Sequence, residues 1–106
     1  MAIYELRTYH FYVGKMAEAV EIYNELAWPV LERLHEGRLI GYFMGDVGAM
    51  NQLVHLWKFA DDADQRQFWQ TAYADAGFQN FAKNIRPLIK TQENKLLLAS
   101  PWGPHP

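Results

Sequence analysis

No cysteine occurs anywhere in the chain, which removes disulfides, thiolate-bound zinc or iron–sulfur centres and thiol nucleophiles together. Serine is nearly as scarce. Ser100 is the only one, it lies close to the C-terminal end, and no nucleophile elbow surrounds it. Serine and cysteine hydrolase chemistry are thereby excluded. No apolar run approaches the roughly 20 residues that a membrane-spanning helix needs. The opening Met1-Ala2-Ile3-Tyr4-Glu5-Leu6 has neither a charged and apolar leader nor an Arg-rich transit pattern. Basic residues are few and scattered, the formal net charge is -2 and the pI is near 6.0, so nothing favours binding to a phosphate backbone. His10, His35 and His105 stand apart without metal-ligand spacing. Gly41, Gly45 and Gly48 are followed by no Lys-Ser/Thr and no helix start, so they form no phosphate loop. Nucleic acid, a membrane, a metal and a bound cofactor are not expected partners, and the cytoplasm is the default compartment.

What the chain does have is aromatic and apolar bulk. Half of its 106 residues are hydrophobic and 15% are aromatic, enough for one small domain with a real core. Ile3 to Tyr9 alternates as a strand, with Tyr4, Leu6 and Thr8 on one face and Ile3, Glu5, Arg7 and Tyr9 on the other. From Met16 to Leu34 the apolar period lengthens to three and four, which predicts an amphipathic helix. Pro29 lies inside that helix and predicts a kink or break near Trp28. Leu39–Val47 and Asn51–Phe59 read as two strands of a hairpin turning at Asp46–Met50. Asp61 or Asp62 then caps a helix carrying Phe68, Trp69, Ala72 and Tyr73, Asp75-Ala76-Gly77 punctuates it, and a further helix holds Phe78, Phe81 and Ile85. Lys90–Leu98 reads as the last strand. The order predicts an α+β, ferredoxin-like domain over residues 1–100, with a four-stranded antiparallel sheet carrying helices on one face, followed by an irregular Pro-rich tail over 101–106.

The segment Gly48–Trp57 is the most informative. Asn51, Leu53, His55, Trp57 and Phe59 share one face of its strand, while Val54 and Leu56 share the other. Both faces carry large apolar groups, and the helices can cover only one. One buried tryptophan contributes up to about 4–6 kcal/mol, so a second cover is worth a great deal. Two chains packed sheet to sheet into a barrel would supply it, and the face with His55 and Trp57, which also turns Glu5 and Arg7 inward, is the expected interface.

That face also holds the residues able to do chemistry. His55 reads either as an acid–base or ligand-binding group or as a buried neutral histidine held by a partner. Glu5 and Arg7, two apart on one strand, form either an ion pair lining a cavity or an edge pair without consequence. With His55 they are the catalytic candidates. Tyr9, Tyr42, Met44, Asn51, His55 and Trp57 are the candidate ligand-binding residues, each with packing or turn formation as its alternative.

Ile3-Tyr4-Glu5-Leu6-Arg7-Thr8-Tyr9 with Gly14-Lys15, Leu39-Ile40-Gly41-Tyr42-Phe43, Asn51-Gln52-Leu53-Val54-His55-Leu56-Trp57 and Arg86-Pro87-Leu88 together resemble the NIPSNAP family. The resemblance spans almost the whole chain. Phe43 and Phe78 depart from it, standing where tryptophan is expected. It implies a ferredoxin-like fold that forms a homodimeric α+β barrel, and it implies no established reaction. Three functional expectations follow. The first is a homodimer binding a small aromatic or hydrophobic molecule. The second is an enzyme resembling cofactor-free monooxygenases or isomerases, with His55 as acid or base and Arg7 steadying an oxyanion. The third is a non-catalytic interaction or stress-associated protein.

Overall fold

The structure is a computed structural model that describes all of residues 1–106. Strand β1 (Ile3–Phe11) leads into helix α1 (Met16–Ile22), a π-helical turn (Tyr23–Ala27) and helix α2 (Trp28–Leu34). Strands β2 (Leu39–Met44) and β3 (Gln52–Phe59) follow, then helices α3 (Asp62–Ala74) and α4 (Ala76–Ile85), a 3₁₀ turn (Arg86–Leu88) and strand β4 (Ile89–Leu98). The strands form one antiparallel sheet in the order β2-β3-β1-β4, the split βαβ arrangement.

Local chemistry explains the breaks. Pro29 falls in the first turn of α2, where a missing N–H costs little, and the preceding π-helical turn closes with the Trp28 N–H bonded to the Tyr23 carbonyl. The expected kink is thus taken up as a change of helical pitch rather than a break. Asp61 caps α3 by accepting from the Asp64 N–H at 2.8 Å. Asp75 both closes α3 and starts α4, accepting from the Gly77 and Phe78 N–H groups. The β2–β3 loop turns through two left-handed residues, Gly48 (φ 102°) and Asn51 (φ 57°).

One face of the sheet carries Glu5, Arg7 and Tyr9 from β1 and Leu53, His55, Trp57 and Phe59 from β3, all buried. The helices cover this face with Ala27, Val30 and Leu31, with Phe68, Trp69 and Ala72, and with Phe78, Phe81 and Ile85. This corrects the expected placement: His55 and Trp57 lie beneath the chain's own helices, not on the open face where a second sheet would pack. Apolar bulk could not choose between the two faces. Glu5 could, because a buried carboxylate needs donors, and α3 supplies them from Gln65 and Trp69. The opposite face, with Leu6, Val54 and Leu56 half-buried and Phe43 58% exposed, has no helical cover. Residues beyond Leu98 form no helix or strand and fold back over part of it, where the Tyr4 hydroxyl donates to the Pro106 carbonyl at 2.8 Å. No helix is long and apolar enough to cross a membrane.

Candidate functional site

Beneath the helices the sheet carries a polar cluster in a setting that is otherwise aromatic. Glu5, Arg7 and His55 are 1%, 5% and 3% exposed. Their positions follow from register: Arg7 lies opposite His55 on β3 and opposite Asn94 on β4, and Tyr42 pairs with His55 from the β2 side.

Glu5 is saturated. Its carboxylate accepts from Arg7 Nε at 2.7 Å, Trp69 Nε1 at 2.7 Å, Gln65 Nε2 at 3.0 Å and Asn94 Nδ2 at 3.4 Å. A carboxylate offers about four lone-pair positions, so none is left for a proton in transit. Arg7 lies over Trp69, its guanidinium carbon 3.7 Å from the ring centre, and donates to the Tyr9 hydroxyl at 3.2 Å. Burial opposes its charge, yet neighbouring Tyr9 and Glu5 carry its pKa upward, so Arg7 stays cationic.

His55 is fixed on three sides. The rings of Tyr9 and Tyr42 lie nearly parallel to it, with centroids 5.4 Å and 4.4 Å away. Trp57 donates its indole N–H to His55 Nδ1 at 2.6 Å. Indole nitrogen can only donate, so Nδ1 must be the unprotonated nitrogen and the neutral ring carries its proton on Nε2. Nε2 is buried and has no hydrogen-bond partner in the chain. Burial, aided by the Arg7 charge, pushes the His55 pKa down to about 3. His55 is therefore a neutral Nε2–H donor across the physiological range. Accepting a proton would require breaking its bond to Trp57, which removes the support for His55 as a general base.

Tyr23, from the π-helical turn, packs edge-on against Tyr42 at 6.0 Å. Burial raises the pKa values of Tyr9, Tyr23 and Tyr42, so all three phenols keep their protons, and the charge on one would be felt by the others. Between the first helical run and β2 runs a groove of about 570 Å³, lined by Tyr23, Asn24, Leu31, Leu39, Tyr42 and Met44 among others. It is largely apolar with a few polar groups, the ordinary character of a small-molecule site. A shallower hollow of about 650 Å³ over Arg7, Gln65, Trp69 and Tyr73 lies on the α3 side. No three His, Asp or Glu side chains are grouped so as to hold a metal ion.

The structure brings together Glu5, Arg7, Tyr9, Tyr42, His55 and Trp57. Met44 belongs to the groove but is 60% exposed. Asn51 lies apart at the hairpin end, where its carbonyl accepts from the Phe11 N–H at 2.9 Å. Sequence reasoning missed Tyr23, Gln65, Trp69 and Asn94 as members. The four-residue spacing of Gln65, Trp69 and Tyr73 puts them on one face of α3 and was a usable signal. Asn94 becomes visible only once β4 is paired with β1.

These features define a ferredoxin-like α+β domain with a buried Glu–Arg–His–Trp cluster beside an apolar groove. The sequence model of the NIPSNAP family matches residues 4–104, and the chain belongs to that family. It is similar to mouse NipSnap homolog 2, 26% identical over 102 residues that cover 96% of this chain and 35% of that protein. Human NipSnap homolog 3A is 30% identical over 93% of this chain and 40% of its own length. The chain thus spans between a third and two fifths of these curated relatives. Among solved structures, a NIPSNAP family protein from Agrobacterium tumefaciens superposes with a TM-score of 0.90 at 31% identity, covering 98% of both chains. The cofactor-independent oxygenase SnoaB from Streptomyces nogalater superposes at 0.67 with 19% identity, a likeness of fold alone.

Proposed function

We propose that this NIPSNAP domain binds a small, planar, apolar molecule in the groove between the first helical run and β2. No biochemical activity is established for it. The observation that carries the reading is the groove itself, whose volume of about 570 Å³ falls within the usual range for small-molecule sites. Saturated Glu5 and tautomer-locked His55 favour binding over acid–base catalysis, so a monooxygenase- or isomerase-like activity is the weaker alternative. A purely structural interaction or stress-associated role would leave the groove without an occupant. We place the domain in the cytoplasm, where a chain without cysteine meets no chemical obstacle, and read it as a homodimer through the open sheet face.

Fluorene, a rigid tricyclic hydrocarbon, is a suitable probe. It is expected to raise the melting temperature of the wild type and to lose that effect with Val20→Trp, which fills the groove from a half-buried wall position. Circular dichroism establishes that the variant folds. Equal shifts in both proteins, or none in the wild type, would refute a site in the groove.

A further inference from the structure

Arg7 is a buried cation with part of its donor set unused. A guanidinium carries five N–H groups in one plane. Nε donates to Glu5 and Nη1 to the Tyr9 hydroxyl, while Nη2 makes no hydrogen bond within the chain. The Tyr73 hydroxyl is near enough to support the charge but stands outside hydrogen-bonding geometry. Nη2 is nevertheless not sealed in, because the polar atom that burial leaves without a partner is His55 Nε2. The 7% of the Arg7 side chain that still meets solvent therefore includes Nη2. It opens into the hollow of about 650 Å³ on the α3 side, whose wall includes Arg7.

The rest of that wall is two neighbouring rows of α3, each stepping by four residues: Gln65, Trp69 and Tyr73, then Arg66, Gln70 and Ala74. It holds two cations and no carboxylate. Arg66 is exposed and paired only with exposed Asp62 at 2.9 Å, a bond weak enough for the guanidinium to turn toward a ligand. Beyond Arg7 the same face of the sheet is uncovered, since Gln92 and Asn94 of β4 are exposed and Asn94 is paired with Arg7. No residue is shared with the groove beside β2, so the two sites are separate.

We infer that this hollow is a second ligand site, which takes the carboxylate of a small aromatic acid on Arg7 Nη2 with Arg66 as the second cation at the rim. A carboxylate brings two acceptor oxygens and no proton, which suits donors arriving from β1 and from α3. Trp69 and Tyr73, with ring centroids 6.0 Å apart, supply an apolar wall for the aromatic body. A phosphate dianion fits less well, because Glu5 lies 2.7 Å from Arg7 Nε and repels each added negative charge. A neutral amide gains only an ordinary hydrogen bond, weaker than one between ions. Binding makes and breaks no covalent bond.

Benzoate and benzamide have nearly the same shape and differ in charge, so their comparison on the 106-residue chain isolates the anion. Benzoate is expected to bind about tenfold more tightly at low salt, and the advantage should shrink as sodium chloride is added. In protein labelled with ¹⁵N-arginine and ¹⁵N-tryptophan, it should move the Arg7 Nε–H and Trp69 indole N–H resonances. Gln70→Glu, which puts a negative charge at an exposed position of the wall, should weaken benzoate severalfold and leave benzamide unchanged. Removing Arg7 itself would strand Glu5, so the wild-type resonances and Gln70→Glu carry the decision. Equal binding of the two compounds, unmoved Arg7 and Trp69 signals, or an unaffected Gln70→Glu would each overturn the site. Inorganic phosphate displacing benzoate at equal concentration would overturn the choice of a carboxylate. Saturating fluorene should leave the benzoate shifts in place, and their loss would put benzoate in the groove instead and overturn the hollow. None of these outcomes decides whether fluorene itself occupies the groove.

Discussion

Glu5 accepts from side chains on three elements: Arg7 on β1, Gln65 and Trp69 on α3, and Asn94 on β4. Removing it strands the Arg7 cation in the interior, so Glu5→Ala is expected to lower stability by about 3–5 kcal/mol. Urea unfolding measures this, and an unchanged midpoint would show that the carboxylate is dispensable. His55 supplies a pH signature. In the unfolded chain it takes up a proton near pH 6.5, whereas in the fold it resists until about pH 3. Between those values the unfolded state binds the extra proton, so stability falls as pH falls and levels off below about 3. His55→Phe lacks this group, and the stability difference between wild type and variant should be flat above pH 7 and shift against the wild type on acidification. A pH-independent difference would mean that His55 titrates normally in the fold. At this scale the sequence was informative about which residues gather, because Glu5, Arg7, Tyr9, His55 and Trp57 share faces by simple alternation. It was silent on what they do together, since the tautomer of His55 depends on a bond to Trp57 that alternation does not reveal.

Elements were legible where their signals are local. The apolar period from Met16 to Leu34, the Asp61 cap and the Asp75 junction are properties of neighbouring residues, and each reappears in the fold. Which face of the sheet the helices cover was not legible, because both faces carry large apolar groups and the choice depends on donors from α3, some 60 residues from Glu5 in sequence. Asn51 carries two readings in the sequence, bonds within its own hairpin turn and contact with a ligand, and its backbone at φ 57° lies in the left-handed region that ends the β2–β3 loop. Asparagine tolerates that region better than most residues, and valine tolerates it poorly. Asn51→Gly should therefore leave thermal stability nearly unchanged, and Asn51→Val should cost about 1–2 kcal/mol. Neither should alter fluorene binding in the groove. A loss of binding with Asn51→Gly, at unchanged stability, would return Asn51 to the site.

The whole molecule turns one apolar sheet face to its helices and leaves the other without a helical layer. On that open face Leu56 of β3 is paired with Leu6 of β1 and lies opposite Gly41 of β2, which places it near the centre. Phe43 pairs with Val54 beside it, and the residues after Leu98 shelter the corner that holds Tyr4 and Leu97. Moving the expected interface from the His55 face to this one leaves the case for a second cover intact, because the need comes from area and not from any particular residue. It also separates assembly from the groove: no helix would lie between two such sheets, and the groove lies on the helix-covered side of each. Light scattering is expected to find a dimer at micromolar concentration. Leu56→Glu puts a charge at the centre of the face, where it would be desolvated in a dimer yet solvated in a single chain. The variant should therefore become monomeric, keep its circular dichroism spectrum and still bind fluorene. A wild-type monomer at that concentration would remove the sheet-to-sheet assembly. A Leu56→Glu dimer would move the interface to another surface, and loss of fluorene binding on dissociation would show that the groove needs the partner to hold its shape.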